Sequence, residues 1–125
     1  MNNIPLNKFE ALKRDRFLKK ILSNAIAMKT KQIGIHKGSM KMKFFRDRIN
    51  EIRHLEDIDL NIFEKYCNDF SFYPIGHERD KFNKDYLQKL DKELKNIDER
   101  YKIQILKKCD EIINQFADIT KLLKN

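Results

Sequence analysis

A chain of 125 residues, 41% hydrophobic and 37% charged, with only three Gly and two Pro, has the size of one domain and too few turn-formers for an all-β fold. Leu, Ile and Phe are plentiful and recur at regular spacing, which argues against disorder, and no apolar run approaches the roughly 18 residues needed to cross a bilayer. The formal charge of +8 is unevenly placed: residues 1–53 carry 14 Lys+Arg against 4 Asp+Glu, whereas residues 54–125 carry 13 against 15.

The pattern predicts a first helix over residues 5–30. Pro5 suits a first helical turn, where its missing N–H is not needed. Phe17, Leu18, Ile21, Leu22, Ala25 and Met28 form an i, i+3/i+4 stripe. Leu6, Phe9 and Leu12 are less regular and are followed by Lys13-Arg14-Asp15-Arg16, so residues 1–16 are expected to attach loosely. Gly34 and Gly38 bracket a linker over 31–37. Ser39 reads as the N-cap of a second helix carrying Met42, Phe45, Ile49 and Ile52 inward and fading near His54.

Asp57 or Asp59 is expected to cap a short third helix ending near Asp69, with Leu60, Phe63, Tyr66 and Cys67 turned inward. An aromatic loop then runs from Phe70 to Arg79, with Phe70, Phe72 and Tyr73 at its start and Pro74 and Gly76 interrupting helix within it. Packing against the bundle is the favoured role for its rings. From His77 onward there is no Gly or Pro, and Leu87, Leu90, Leu94, Ile97, Tyr101, Ile105, Cys109, Ile112 and Phe116 keep helical spacing into Ile119 and Leu123. A helix of about 40 residues would reach roughly 60 Å and should bend or project. The expected architecture is all-α: a single-domain antiparallel bundle of about four helices with a long C-terminal helix.

Four segments in order resemble a known family: HKGSMKMKFF (from His36), LNIFEKYCNDF (from Leu60), YPIGHERDKF (from Tyr73) and LDKELKNIDERYKIQIL (from Leu90). Over residues 17–113 the chain resembles the uncharacterised gammaproteobacterial family "domain of unknown function 2489". In that family the second helix opens with an acid and Gly, then a small residue and an aliphatic–Arg–Leu run. The corresponding residues here are Lys37, Gly38, Ser39, Met40, Lys41 and Met42, so Lys37 replaces the acid. The family's Pro-x-His-Glu pattern is met at Pro74, His77 and Glu78 with one extra residue. The resemblance implies a helical fold and carries no assigned activity; anchored members of the family suggest a peripheral membrane role as one alternative.

Clustered like charges project a field about 8–10 Å into solvent, so the basic first half points to an anionic partner. Lys29, Lys31, Lys37, Gly38, Ser39, Lys41, Lys43, Arg46 and Arg48 are the candidate anion-binding residues, with the start of the second helix offering free N–H groups. The order of a phosphate-binding Walker loop is absent. His77, Glu78 and Arg79 form either a small polar site or a structural lock at the start of the last helix, and the lock is favoured. Arg48 and His54 match the loose Arg…His spacing of a ribonuclease family of helical bundles. Six residues on a helix separate them by about 240°, so they should diverge.

No catalytic set emerges: Ser39 and Cys67 lack an evident base, and His36, His54 and His77 have no metal-ligand spacing. No cofactor and no metal are expected. The N-terminal stretch lacks the apolar region of a secretory signal, and Cys67 and Cys109 are expected as free thiols, which suggests a cytoplasmic protein. The leading expectation is therefore a basic, non-enzymatic binding or adaptor protein that docks RNA or a ribonucleoprotein. The alternatives are homo- or hetero-association through the C-terminal helix, or peripheral binding to anionic lipid.

Overall fold

The computed structural model describes residues 5–117 and contains four α-helices and one 3-10 turn, with no strand among these residues. Helix α1 spans Lys8–Lys29, α2 Ile35–Ile52, α3 Asn61–Phe70 and α4 Lys84–Gln115, with the 3-10 turn Gly76–Lys81 between α3 and α4. The all-α bundle with a long last helix is as expected. Helix α4, 32 residues and roughly 48 Å, is the longest element.

Each helix packs on its chain neighbour, and α4 closes the ring against α1. The first pair is antiparallel: Asn24 and Met28 meet Gly38, while the ring of Phe17 lies 6.3 Å from that of Phe45. Helices α2 and α3 are also antiparallel, with the His36 ring 4.8 Å from Phe70 at one end and Arg46 bonded to Asn61 at the other. Helix α4 meets α1 through the ion pair Lys29–Asp110 (3.2 Å) and a 3.9 Å contact between Cys109 Sγ and Met28 Sδ. The core between them is formed by Leu18, Ile21, Leu22, Ala25, Met42, Ile49, Phe63, Tyr66, Ile105, Cys109, Ile112 and Phe116, among others. Ile119 and Leu123, expected to extend this stripe, lie outside the described residues.

The helix starts differ from expectation in ways that trace to single side chains. Helix α1 begins at Lys8, not at Pro5, because Asn7 and Glu10 form a reciprocal capping box. Its end is a Schellman turn: Gln32 N–H donates to Ala27 O and Lys31 N–H to Met28 O, with Lys31 at φ 63° in the left-handed position usually held by Gly. Ser39 is not the N-cap of α2. Gly34 occupies that place, and Gly38 and Ser39 are buried inside the helix.

The reason is packing. A Cβ at position 38 would lie 2.5 Å from Met28 Cγ and 2.6 Å from its Sδ, so any larger residue there would force the Met28 side chain to shift. Asn24, itself buried, donates from Nδ2 to the Gly38 carbonyl at 2.9 Å, which gives its buried N–H group a partner. Helix α3 has no side-chain cap at Leu60. Asp59 instead accepts from the Asn61 N–H at 2.8 Å, while Asp57 plays no such part. Helix α4 is capped by Asn83, whose Oδ1 accepts from the N–H groups of Asp85 and Tyr86.

Candidate functional site

Helices α1 and α2 leave an open groove of about 770 Å³ between their outer faces. Its cations are Arg16, Lys19 and Lys20 from α1 and Lys37 and Lys41 from α2; Ser23, Gln32, Ala27 and Phe45 contribute to the floor and walls. No Asp or Glu lines it, and among the described residues none of the five cations makes an ion pair. The local reason is helical phase. Arg16, Lys20 and Ser23 recur at i, i+4 and i+7, on the side of α1 opposite the buried Leu18, Leu22 and Ala25. Lys37 and Lys41 repeat at i, i+4 on α2. Within each helix the step is about 6 Å, and the axes of packed helices lie about 8–10 Å apart, so the cations form two facing rows.

The candidate anion-binding residues divide. Lys37 and Lys41 stand in the groove, and Lys31 is exposed at the turn that precedes α2. Gly38 and Ser39 cannot offer free N–H groups as a helix start would, because they lie within α2; the Gly38 N–H already donates to Gly34 O at 2.9 Å. Lys29 is paired with Asp110, and Lys43 with Asp47 at 3.4 Å. Arg46 is largely buried and bonded to Asp47, Asn61 and Glu64. Arg48 pairs with Glu51 at 2.7 Å and stacks over Phe44 at 5.2 Å. Arg16, Lys19 and Lys20 were legible in principle, since their spacing marks one face of the first helix opposite its apolar stripe.

The polar cluster at His77, Glu78 and Arg79 also divides. His77 and Glu78 are exposed in the 3-10 turn and do not cap α4; Asn83 does. The lock belongs to Arg79, whose guanidinium donates both arms to Asp91 of α4 at 2.5 and 2.8 Å. That bond holds the Asp91 carboxyl below its ordinary value. Pro74 is buried and Tyr73 half-buried, with its hydroxyl donating to Glu93, and Phe70 is in the core. Phe72 alone of the loop's rings stands out into solvent, 88% exposed.

A further polar group carries no sequence motif that would mark it. Asp98 Oδ1 receives both the Tyr66 hydroxyl at 2.5 Å and a bond with His36 Nε2 at 2.8 Å, tying α2, α3 and α4 together. Burial, joined by this bond, raises the Tyr66 phenol far above its ordinary value, so it stays a neutral donor. Burial likewise pushes the thiols of Cys67 and Cys109 up to about 11, which leaves neither as a nucleophile at neutral pH. His54 lines a cleft of about 510 Å³ with Arg46, Asn50, Glu56, Asp59 and Glu64; Arg48 does not line it and is bonded instead to Glu51 and set over Phe44.

Among the described residues no three metal-ligating side chains come together, and no helix is long and apolar enough to cross a membrane. Compared with known proteins, the chain matches no family model, no curated protein and no solved structure.

Proposed function

We propose that this protein is a non-enzymatic binding or adaptor protein that docks a polyanion, RNA or a ribonucleoprotein, in the α1–α2 groove. The observation that carries this reading is the set of five groove cations with no acid among them. Unpaired cations held close together raise one another's field and gain when an anion enters, whereas cations already bonded to carboxylates gain little. A polymer of phosphates answers two facing rows of charge better than a small anion does, because each neutralised phosphate also releases a condensed counterion. The cleft at His54 does not compete, since its acids Glu56, Asp59 and Glu64 repel phosphate and its Arg46 is already committed.

The test is binding of a labelled oligoribonucleotide, followed by fluorescence anisotropy across salt concentration. Wild-type protein should bind at low salt with a steep salt dependence. A variant carrying Lys19→Glu, Lys20→Glu, Lys37→Glu and Lys41→Glu should not bind at all while keeping its helical circular dichroism. Wild-type protein that fails to bind RNA at low salt would refute the reading.

A further inference from the structure

We propose that the groove takes a single-stranded polynucleotide, with a base stacked on the exposed ring of Phe44 and the neighbouring phosphates on Lys37 and Lys41. This rests on the groove being a polyanion site and specifies the form of the polymer. Each residue of a helix advances about 100°, which places Lys37, Lys41, Phe44 and Arg48 within about 60° of arc on the outer face of α2. The same calculation sets Met42 and Ile49 well away from that arc, where both are fully buried. An aromatic ring therefore stands in line with the groove's cations.

Phe44 is 53% exposed and Met40, one turn before it, 47%. The core does not account for either, because α2 already buries Gly38, Ser39, Met42 and Ile49. The Phe44 ring is nevertheless braced: Phe45 meets it edge-on at 5.9 Å, and the Arg48 guanidinium lies 5.2 Å over it. Phe45 in turn is held from α1 by Phe17 at 6.3 Å, and Lys20 lies 5.9 Å over its ring. A braced aromatic in line with the unpaired cations Lys37 and Lys41 is an arrangement that suits unpaired bases, since every base has a π-face and its phosphates lie within reach of those cations. A duplex keeps its bases stacked inside and offers this ring nothing but its backbone.

Four ligands distinguish the possibilities: a single-stranded RNA, a single-stranded DNA, an RNA hairpin stem of equal phosphate count, and heparin, a polyanion without bases. Anionic vesicles serve as a fifth. Phe44→Leu keeps the apolar bulk at an exposed site and removes the π-face; Phe44→Tyr keeps both. Single strands should bind the wild type more tightly than the stem. Phe44→Leu should weaken them by about five-fold or more, leave heparin unchanged, and abolish the quenching of a 2-aminopurine placed in the strand. Phe44→Tyr should restore both.

If RNA and heparin bind but stem and strand are equal and Phe44→Leu changes neither, the groove is a plain phosphate surface and this inference is wrong. Tight binding to anionic vesicles, weakened by Phe44→Leu and with no preference for single strands, would overturn it in favour of a lipid surface. Failure of heparin and every nucleic acid to bind would instead remove the underlying polyanion reading.

Discussion

On one side of α2, Lys43 and Arg46 are bonded to Asp47, and Arg46 also to Glu64, at 2.9–3.4 Å. On the other, Lys37 and Lys41 face Arg16, Lys19 and Lys20 across a groove without an acid. Net charge counts both sides equally, yet the physical chemistry separates them. Arg46 ties α2 to α3, and the charge of the paired cations is already answered within the fold. The unpaired ones contribute little to folding and leave their field directed at solvent. A basic composition therefore marks a half of this molecule, and pairing selects the part of that half with free electrostatic capacity.

The sharpest way to break this comparison is to reverse charge on each side in turn. Lys37→Glu with Lys41→Glu should weaken oligoribonucleotide binding about 100-fold, on the order of 1.5 kcal/mol for each charge-assisted hydrogen bond removed. Lys29→Glu with Lys43→Glu, the same change in net charge, should alter affinity only a few-fold. Equal weakening by the two pairs would mean that overall charge, and not the groove, attracts the partner.

The groove depends on how closely α2 approaches α1, and Gly38 meets Met28 at that contact. Gly38→Ala should destabilise the protein by about 1–3 kcal/mol through overpacking against Met28, although Ala is the better helix former by about 1 kcal/mol. Chemical denaturation reads the sign directly. A more stable Gly38→Ala protein would show that the Met28 side chain moves aside without cost.

A smaller effect separates the cap of α4 from the cluster beside it. Asn83→Ala should cost about 0.5–2 kcal/mol, whereas His77→Ala and Glu78→Ala should stay within about 0.5 kcal/mol of wild type, as substitutions at exposed positions away from caps and cores do. Differential scanning calorimetry on the three variants decides between them.

The smallest effect sharpens the paired side of α2. Burial pushes the Asp47 carboxyl up, but the hydrogen bond and charge of Arg46, joined by Lys43, outweigh it and hold the group below its ordinary value of 3.8. A carboxylate depressed in the folded state contributes stability that is fully present above its unfolded pKa and is lost as pH falls through the folded one. Below about pH 4 the wild type should therefore lose stability faster than Asp47→Asn. The difference should be under about 1 kcal/mol, because the carboxylate is partly exposed. Thermal melts from pH 5 to pH 2 would measure it.

Much of the fold was legible because helical periodicity is local. The stripe Leu18, Ile21, Leu22, Ala25 and the set Phe63, Tyr66, Cys67 are buried as their spacing requires. The start of α2 was not legible. Gly38 looks like a turn residue, and its actual duty, clearance for Met28, is set ten residues away on another helix. The same limit affected the candidate site. Arg46 reads as a free cation until α3 brings Glu64, 18 residues on, against it. Arg79 reads as one of three polar neighbours until α4 supplies Asp91. Arg16, Lys19 and Lys20 could have been found, since a wheel of the first helix puts them opposite its apolar stripe; Arg16, in the run Lys13-Arg14-Asp15-Arg16, reads instead as part of an interruption of apolar spacing.

The most direct test of the central claim is the salt dependence of single-stranded oligoribonucleotide binding, compared between wild type, Lys37→Gln with Lys41→Gln, and Lys29→Gln with Lys43→Gln. If the unpaired groove cations are the docking surface, the log–log slope should fall in magnitude by about 0.7 for each phosphate no longer neutralised. That is about 1.4 for the groove pair, with almost no change for the paired cations. Equal falls in the two double variants, or an unchanged slope in the groove variant, would contradict the account.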